Sequence, residues 1–199
     1  MSPSPNPEAV VLVPIRSFDE AKSRLADMLC ADERRELVQT MATTVVTAAH
    51  DLPVHVVTDD PNVIEWCGSV GAVALTPGVS GLNHSIAAAF AEVRRGLAST
   101  DARVIIAHAD LPLAHDLRVV DGRGVAVAPD RHRDGSNVMS IPASVDFEFA
   151  YGPGSFERHR LEAARHGLPF TVIDEPTLAL DIDHPADLAE LATRQPVPD

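Results

Sequence analysis

Val10 to Leu25 reads VVLVPIRSFDEAKSRL, and this stretch decides the fold. Its first residues, Val10 to Ile15, are a continuous β-branched apolar run of the kind that forms a strand buried on both faces. A charged connection comes next rather than a tight turn. Open α/β sheets bind ligands beyond the carboxyl ends of their strands, so this connection, with Arg16, Lys22 and Arg24, stands where a ligand loop belongs. Lys22 is the only lysine in the 199 residues. A compact ammonium on a long stem suits a phosphate oxygen whose position shifts during reaction, which a rigid guanidinium follows less well. The plain alternative is a stray surface lysine in an arginine-rich chain.

Working outward, short apolar runs alternate with helical patterns, the signature of parallel strands joined by crossover helices. Strands are expected at Val10 to Ile15, Val54 to Thr58, Ala72 to Leu75 and Val104 to Ala107. Helices are expected at Asp32 to His50, Pro61 to Val70 and Leu82 to Leu97, the second opened by a proline at its first position. Beyond Ala107 the rhythm loosens. Val125 to Pro129, Val138 to Pro142 and Phe170 to Ile173 read as strands among glycine, proline and charged loops, and Ser155 to His166 as a helix. The fold class is α/β, a Rossmann-like, mostly parallel sheet with flanking helices. One domain is expected over 10–193, with a nucleotide half over about 10–112 and an acceptor half over about 113–193. Residues 1–9 and 194–199 read as tails.

Composition narrows the partners. The net charge of −13 argues against nucleic acid and against acidic membranes, both of which need a basic face. No apolar run approaches the roughly 18–20 residues of a membrane helix, and MSPSPNPEA has neither the basic start nor the apolar stretch of a signal peptide. Cys30 and Cys67 form no CxxC pair, so reduced thiols and a cytoplasmic location are expected. An anionic substrate must then be met by a local basic pocket or by metal ions. A homodimer is among the open assemblies.

Four segments can carry chemistry. In His108-Ala109-Asp110-Leu111-Pro112, Asp110 follows a buried strand and points into the ligand crevice, unless it only caps a local turn. In Leu178 to Asp183, LALDID, alternation puts Asp181 and Asp183 on one face, roughly 6–7 Å apart, a spacing that with Asp110 suits Mg2+. Asp183 also stands where a helix cap would precede Pro185. In Tyr151 to Phe156, YGPGSF, Gly152 and Gly154 let backbone approach a ligand, and Ser155 opens a helix whose free amides suit an anion; an ordinary serine cap is the alternative. In Pro129 to Asn137, PDRHRDGSN, Arg131 and Arg133 suit a small molecule bearing a carboxylate and a phosphate, if they are not merely solvated. His108 and His115 with Asp110 match no strong zinc spacing, which disfavours a metallohydrolase.

In this order VPIRSFDEAKSRL, GLNHSI (Gly81 to Ile86), HADLPL, PDRHRDGSN, YGPGSF and LALDID resemble the 2-phospho-L-lactate guanylyltransferase family, whose bacterial members act on phosphoenolpyruvate in making coenzyme F-420. The resemblance runs from about Val10 to Leu191 and implies a compact relative of the molybdopterin and sugar nucleotidylyltransferases. It implies GTP and a small phosphorylated carboxylic acid as partners, with Mg2+ as cofactor. Pro14, Arg16, Lys22, Asn83 and Asp110 are then expected on the nucleotide, Arg131, Asn137, Gly152, Gly154 and Ser155 on the acceptor, and Asp110, Asp181 and Asp183 on the metal, with Lys22, Asp110 and Asp181 catalytic. Two departures stand out. Residues 16–24 lack the superfamily's glycine-rich loop, which leaves the phosphates to side chains, and the link from Asp110 to Val125 is too short for the usual helix. A nucleotide-binding regulator without turnover is the alternative from another class.

Overall fold

The computed structural model of the chain describes residues 9–97, 99 and 101–194; most of both expected tails lies outside the described residues. Among the described residues twelve regular elements occur, in the order β1 (Ala9–Pro14), α1 (Ala31–Thr47), β2 (Val54–Val57), α2 (Pro61–Val70), β3 (Val73–Leu75), α3 (Leu82–Val93), β4 (Arg103–Ala107), β5 (Val125–Pro129), β6 (Ser136–Pro142), α4 (Ser155–Arg165), β7 (Phe170–Val172) and α5 (Pro185–Arg194). Short 3-10 turns lie at Ser23–Leu25, Arg94–Gly96 and Leu117–Val119. The last of these is all the helix that the link between β4 and β5 contains.

One seven-stranded sheet orders the strands β3-β2-β1-β4-β6-β5-β7. All pairings are parallel except those of β6, which runs antiparallel to both β4 and β5. The central strands carry alternate residues to two cores. Val11 and Val13 of β1 face the core built by α1, α2 and the segment Leu178 to Ile182, whereas Val10 and Leu12 face the core of α3, Phe147, Phe149 and Ala163. Both faces of β1 and β4 are therefore covered, as continuous apolar runs require. Leu12 is fully buried, and truncating it to alanine would cost about 2–5 kcal/mol.

The carboxyl ends of β1, β2 and β4 point the same way, which gathers the loops after Pro14, Val57 and Ala107 at one edge of the sheet. β6 arrives from the opposite direction and extends the β4 ladder by one bond, His108 N–H to Asn137 O at 2.9 Å. The loop into β6 is thereby set beside the loop out of β4.

Candidate active site at the carboxyl ends of the parallel strands

Lys22 adopts the left-handed conformation with φ 56°, unusual for a residue carrying a side chain. That turn starts the Ser23–Leu25 3-10 segment and sends the side chain inward rather than to solvent. Its Nζ donates to Asp110 Oδ2 at 2.7 Å and to Asp183 Oδ1 at 2.8 Å. Only 9% of the side chain is exposed. The two carboxylates come from segments far apart in sequence, joined by Ile182 N–H donating to Asp110 O at 3.2 Å. The expected alternation holds around them. Leu180 and Ile182 are fully buried and Asp181 and Asp183 half-buried, although this segment is extended without a ladder of its own.

Electrostatics distinguish the three acids. Burial pushes the Asp110 carboxyl up, but the charges of Lys22 and His108 and the Lys22 hydrogen bond outweigh it and leave it below the usual range. Burial lowers the Lys22 ammonium and the two carboxylates more than restore it, so it is held above its ordinary value. Asp181 moves the other way. Burial, then the negative charges of Asp110 and Asp183, push it up, with a partial offset from the Asn137 side chain. Asp110 Oδ1 is buried without a hydrogen-bond partner among the described residues. No three His, Cys, Asp or Glu side chains among the described residues stand close enough to form a metal cage. The compact cation between Asp110 and Asp183 is instead the lysine.

Two joined clefts open on this edge. One of about 370 Å³ is lined by Pro14, Arg16, Lys22, His108 and Asp110. The other, about 640 Å³, continues past Pro14 and Arg16 to the ends of β2 and β3. Pro14, Arg16, Lys22 and Asp110 thus share one wall. Arg16 is exposed and 3.2 Å from Glu20.

Asn83 lies elsewhere. Its Oδ1 accepts from Tyr151 N at 2.7 Å and its Nδ2 donates to Tyr151 O at 3.3 Å, so it clamps the start of the YGPGSF loop to α3 and does not face the cleft.

The acceptor-side residues are tied to one another. Arg131 pairs with Asp187 and with Glu190 at 3.5 Å, which takes its guanidinium to α5. Asn137 is buried and donates to Leu178 O at 3.0 Å. Gly152 and Gly154 have φ 116° and 73°, a path closed to most side chains. The Arg158 guanidinium holds this loop by its carbonyls, reaching Pro153 O at 2.6 Å and Ala150 O at 2.8 Å. Ser155 is buried and its Oγ accepts from Ser136 N at 3.2 Å. The amides expected to be free at this helix start are not. Gly154 N donates to Asp134 Oδ2 at 2.9 Å, Ser155 N to Gly152 O at 3.0 Å and Phe156 N to Asp134 O at 3.0 Å. Arg133, with φ 56°, reaches outward to Asp174 at 3.1 Å.

Asp183 does not cap α5. Asp187 reaches back instead, its Oδ2 accepting from Asp183 N at 2.8 Å and His184 N at 2.6 Å. Burial opposes the Asp187 charge, but the Arg131 hydrogen bond and these amides hold its carboxyl low. This leaves the Asp183 carboxylate free for Lys22. A second residue missed in the sequence is His159. Its Nε2 accepts from Ala150 N at 3.1 Å, so the proton sits on Nδ1, which donates to Ser136 Oγ at 3.0 Å. Burial first, then the Arg158 and His108 charges, push its pKa down to about 4 despite Glu162. The signal was the i, i+4 spacing of Ser155 and His159 on one helix face.

The family described as guanylyl transferase CofC like matches residues 9–194, and the chain belongs to it. A phosphoenolpyruvate guanylyltransferase of Sphaerobacter thermophilus is 40% identical, covering 94% of each chain. A 2-phospho-L-lactate guanylyltransferase of Methanocaldococcus infernus is 26% identical over 90% of this chain and 82% of its own. Among solved structures, 4-diphosphocytidyl-2C-methyl-D-erythritol synthase superposes with a TM-score of 0.63 at 11% identity, over 96% of this chain and 99% of its own, a likeness of fold. The chain is a nucleotidyltransferase of the guanylyltransferase class. No described helix is long and apolar enough to cross a membrane.

Proposed function

We propose that the chain transfers GMP from GTP to the phosphate of phosphoenolpyruvate, giving enolpyruvoyl-2-diphospho-5'-guanosine and pyrophosphate, as a cytoplasmic step of coenzyme F-420 biosynthesis. The observation that carries this is the Lys22 ammonium clasped by Asp110 and Asp183 at the carboxyl ends of parallel strands, in a chain 40% identical to a protein named for that reaction. 2-Phospho-L-lactate or 3-phosphoglycerate is the alternative acceptor.

An oxygen of the acceptor phosphate attacks the α-phosphorus of GTP. The bond from that phosphorus to the oxygen bridging the β-phosphorus breaks, and its electron pair leaves on pyrophosphate. The attacking oxygen is already ionised at neutral pH, so no general base is needed. Catalysis reduces to placing two polyanions in line and neutralising the charge they develop. Lys22 does part of this by turning its ammonium from the carboxylates to the triphosphate, and Arg16 meets the same phosphates from the open wall. Asn137, Gly152, Gly154 and Ser155 take the acceptor, with Arg131 acting from behind through Asp187.

The three acids do not stand as a ready-made cage, yet their chemistry suits Mg2+ once Lys22 turns away from Asp110 and Asp183. Asp110 Oδ1 is buried without a partner among the described residues, Asp181 is pushed up by burial and then by its acidic neighbours, and an ammonium already occupies the place of a cation. Asp110, Asp181 and Asp183 would hold the ion, which would supply positive charge against the phosphates.

The test is pyrophosphate release from GTP and Mg2+ with phosphoenolpyruvate, 2-phospho-L-lactate and 3-phosphoglycerate offered in turn. Phosphoenolpyruvate should give the largest kcat/KM. Release with none of the three, or equally without acceptor, would defeat the proposal.

A further inference from the structure

We infer that Asp59 reads the guanine edge of the nucleotide, an assignment that rests on the guanylyltransferase reading and adds the origin of its base selectivity. The larger cleft contains three acidic residues, Glu20, Asp59 and Asp60. Two are accounted for. Glu20 lies 3.2 Å from Arg16, and Asp60 Oδ1 caps α2 by accepting from Asn62 N at 2.8 Å and Val63 N at 3.4 Å. Asp59 is exposed and makes no side-chain hydrogen bond or ion pair among the described residues.

An unpaired carboxylate in a cleft for a polyanion repels the ligand unless it meets hydrogen-bond donors. Guanine offers two adjacent donors on one edge, N1–H and the exocyclic N2 amine, which match the two oxygens of a carboxylate. Adenine and cytosine carry an acceptor at the corresponding ring nitrogen and would leave the carboxylate facing a lone pair. Position agrees with this. Lys22 and Asp110 mark the phosphate end, and the cleft runs from there to the ends of β2 and β3, where Asp59 stands. That end also has apolar walls that the folded chain leaves uncovered. Val79 is 41% and Leu82 45% exposed, and Pro14 and Pro77 complete surfaces on which a flat base packs.

The experiment measures calorimetric affinity for GTP, XTP and ITP in the parent chain and in Asp59→Asn, with Mg2+ present. In the variant the amide oxygen still accepts from N1–H, but its NH2 now meets the N2 amine of guanine. Xanthine carries an oxygen there and becomes the better partner. GTP should bind the parent better than ITP, the variant should lose roughly 10²-fold or more in GTP affinity, and XTP should gain over the parent. A merely structural Asp59 would not produce a gain for XTP. A variant whose GTP to XTP ratio stays within about threefold of the parent overturns the inference. Because binding is the readout, a parent that binds GTP yet releases no pyrophosphate with any acceptor counts against the guanylyltransferase reading alone.

Discussion

The two halves of the proposed site are built in opposite ways. On the nucleotide side the cleft is lined by chains left loose: Arg16 is 90% exposed with one exposed partner, Asp59 has no partner among the described residues, and Val79 and Leu82 present bare apolar surface. Where the proposed function puts the acceptor, Ser136, Asn137, Ser155 and His159 are all buried and bonded to one another or to backbone. A large nucleotide with many contacts can order its own walls on binding. A small acid offers few contacts and cannot offset that ordering entropy, so its wall must be set in advance. Lys22 is the joint between these regimes, anchored in one half and bonded to a carboxylate of the other.

Cutting the joint should have the largest effect. Lys22→Ala is expected to lower kcat on the order of 10³-fold, and Lys22→Arg to recover little of it, because the fork cannot follow the leaving pyrophosphate. Steady-state rates decide this, and an alanine variant within about twofold of the parent would remove Lys22 from the site. The same variant should lose about 3 kcal/mol of stability in denaturant titrations, since the Asp110 carboxylate is left without its counter-charge.

Next comes the bonded wall. Asp187→Ala releases Arg131 and the amides of Asp183 and His184, and about 2–3 kcal/mol of stability should go with them. A loss under about 0.5 kcal/mol would mean that the acceptor half is less tightly set than its bonds imply.

His159 supplies a pH test of similar or smaller size. Its folded value is depressed to about 4 from an ordinary value of 6.5. Above that ordinary value both states are neutral and nothing is lost. As pH falls from about 6.5 towards 4 the unfolded chain takes up the proton first, so stability declines by on the order of 2–3 kcal/mol across that window. His159→Gln should flatten this slope, and an unchanged slope would show that the ring carries no such penalty.

The smallest effect has the opposite sign. Asp181 is pushed up by burial and by Asp110 and Asp183, so its charge opposes folding at neutral pH. Asp181→Asn should therefore abolish turnover while raising the melting stability by about 1 kcal/mol, whereas Asp110→Asn should lower it. Melting curves of the two variants side by side distinguish a carboxylate opposed by its surroundings from a satisfied one.

Much of the nucleotide half was legible because its information is local. Apolar runs fixed β1, β2 and β4, and Pro61 marked the start of α2; in the second half the alternation of Leu180 and Ile182 with Asp181 and Asp183 was as plain. What was hidden depends on partners distant in sequence. Nothing in SNVMSIP states that β6 inserts antiparallel between β4 and β5, because that order follows from sheet-level packing. Nothing in GLNHSI shows that Asn83 will bond Tyr151, nor in PDRHRDGSN that Arg131 will pair with Asp187, a residue whose reach-back from α5 no motif advertised. Isolated polar residues in a sequence do not disclose whether their hydrogen bonds will be made inside the protein or with a ligand.

The bond between Lys22 and Asp183 spans 161 residues of sequence, and this imposes a schedule on synthesis. At about 5–20 residues per second, roughly 8–30 s separate the emergence of the two partners. Asp110 itself follows Lys22 by 88 residues, so only in the later part of that interval can the ammonium be attached to Asp110 alone, while α5 has yet to arrive with Asp187 and the segment that delivers Asp183. On the proposed function, the chain at that stage has the nucleotide cleft but an incomplete reaction centre, which the last segment to emerge completes.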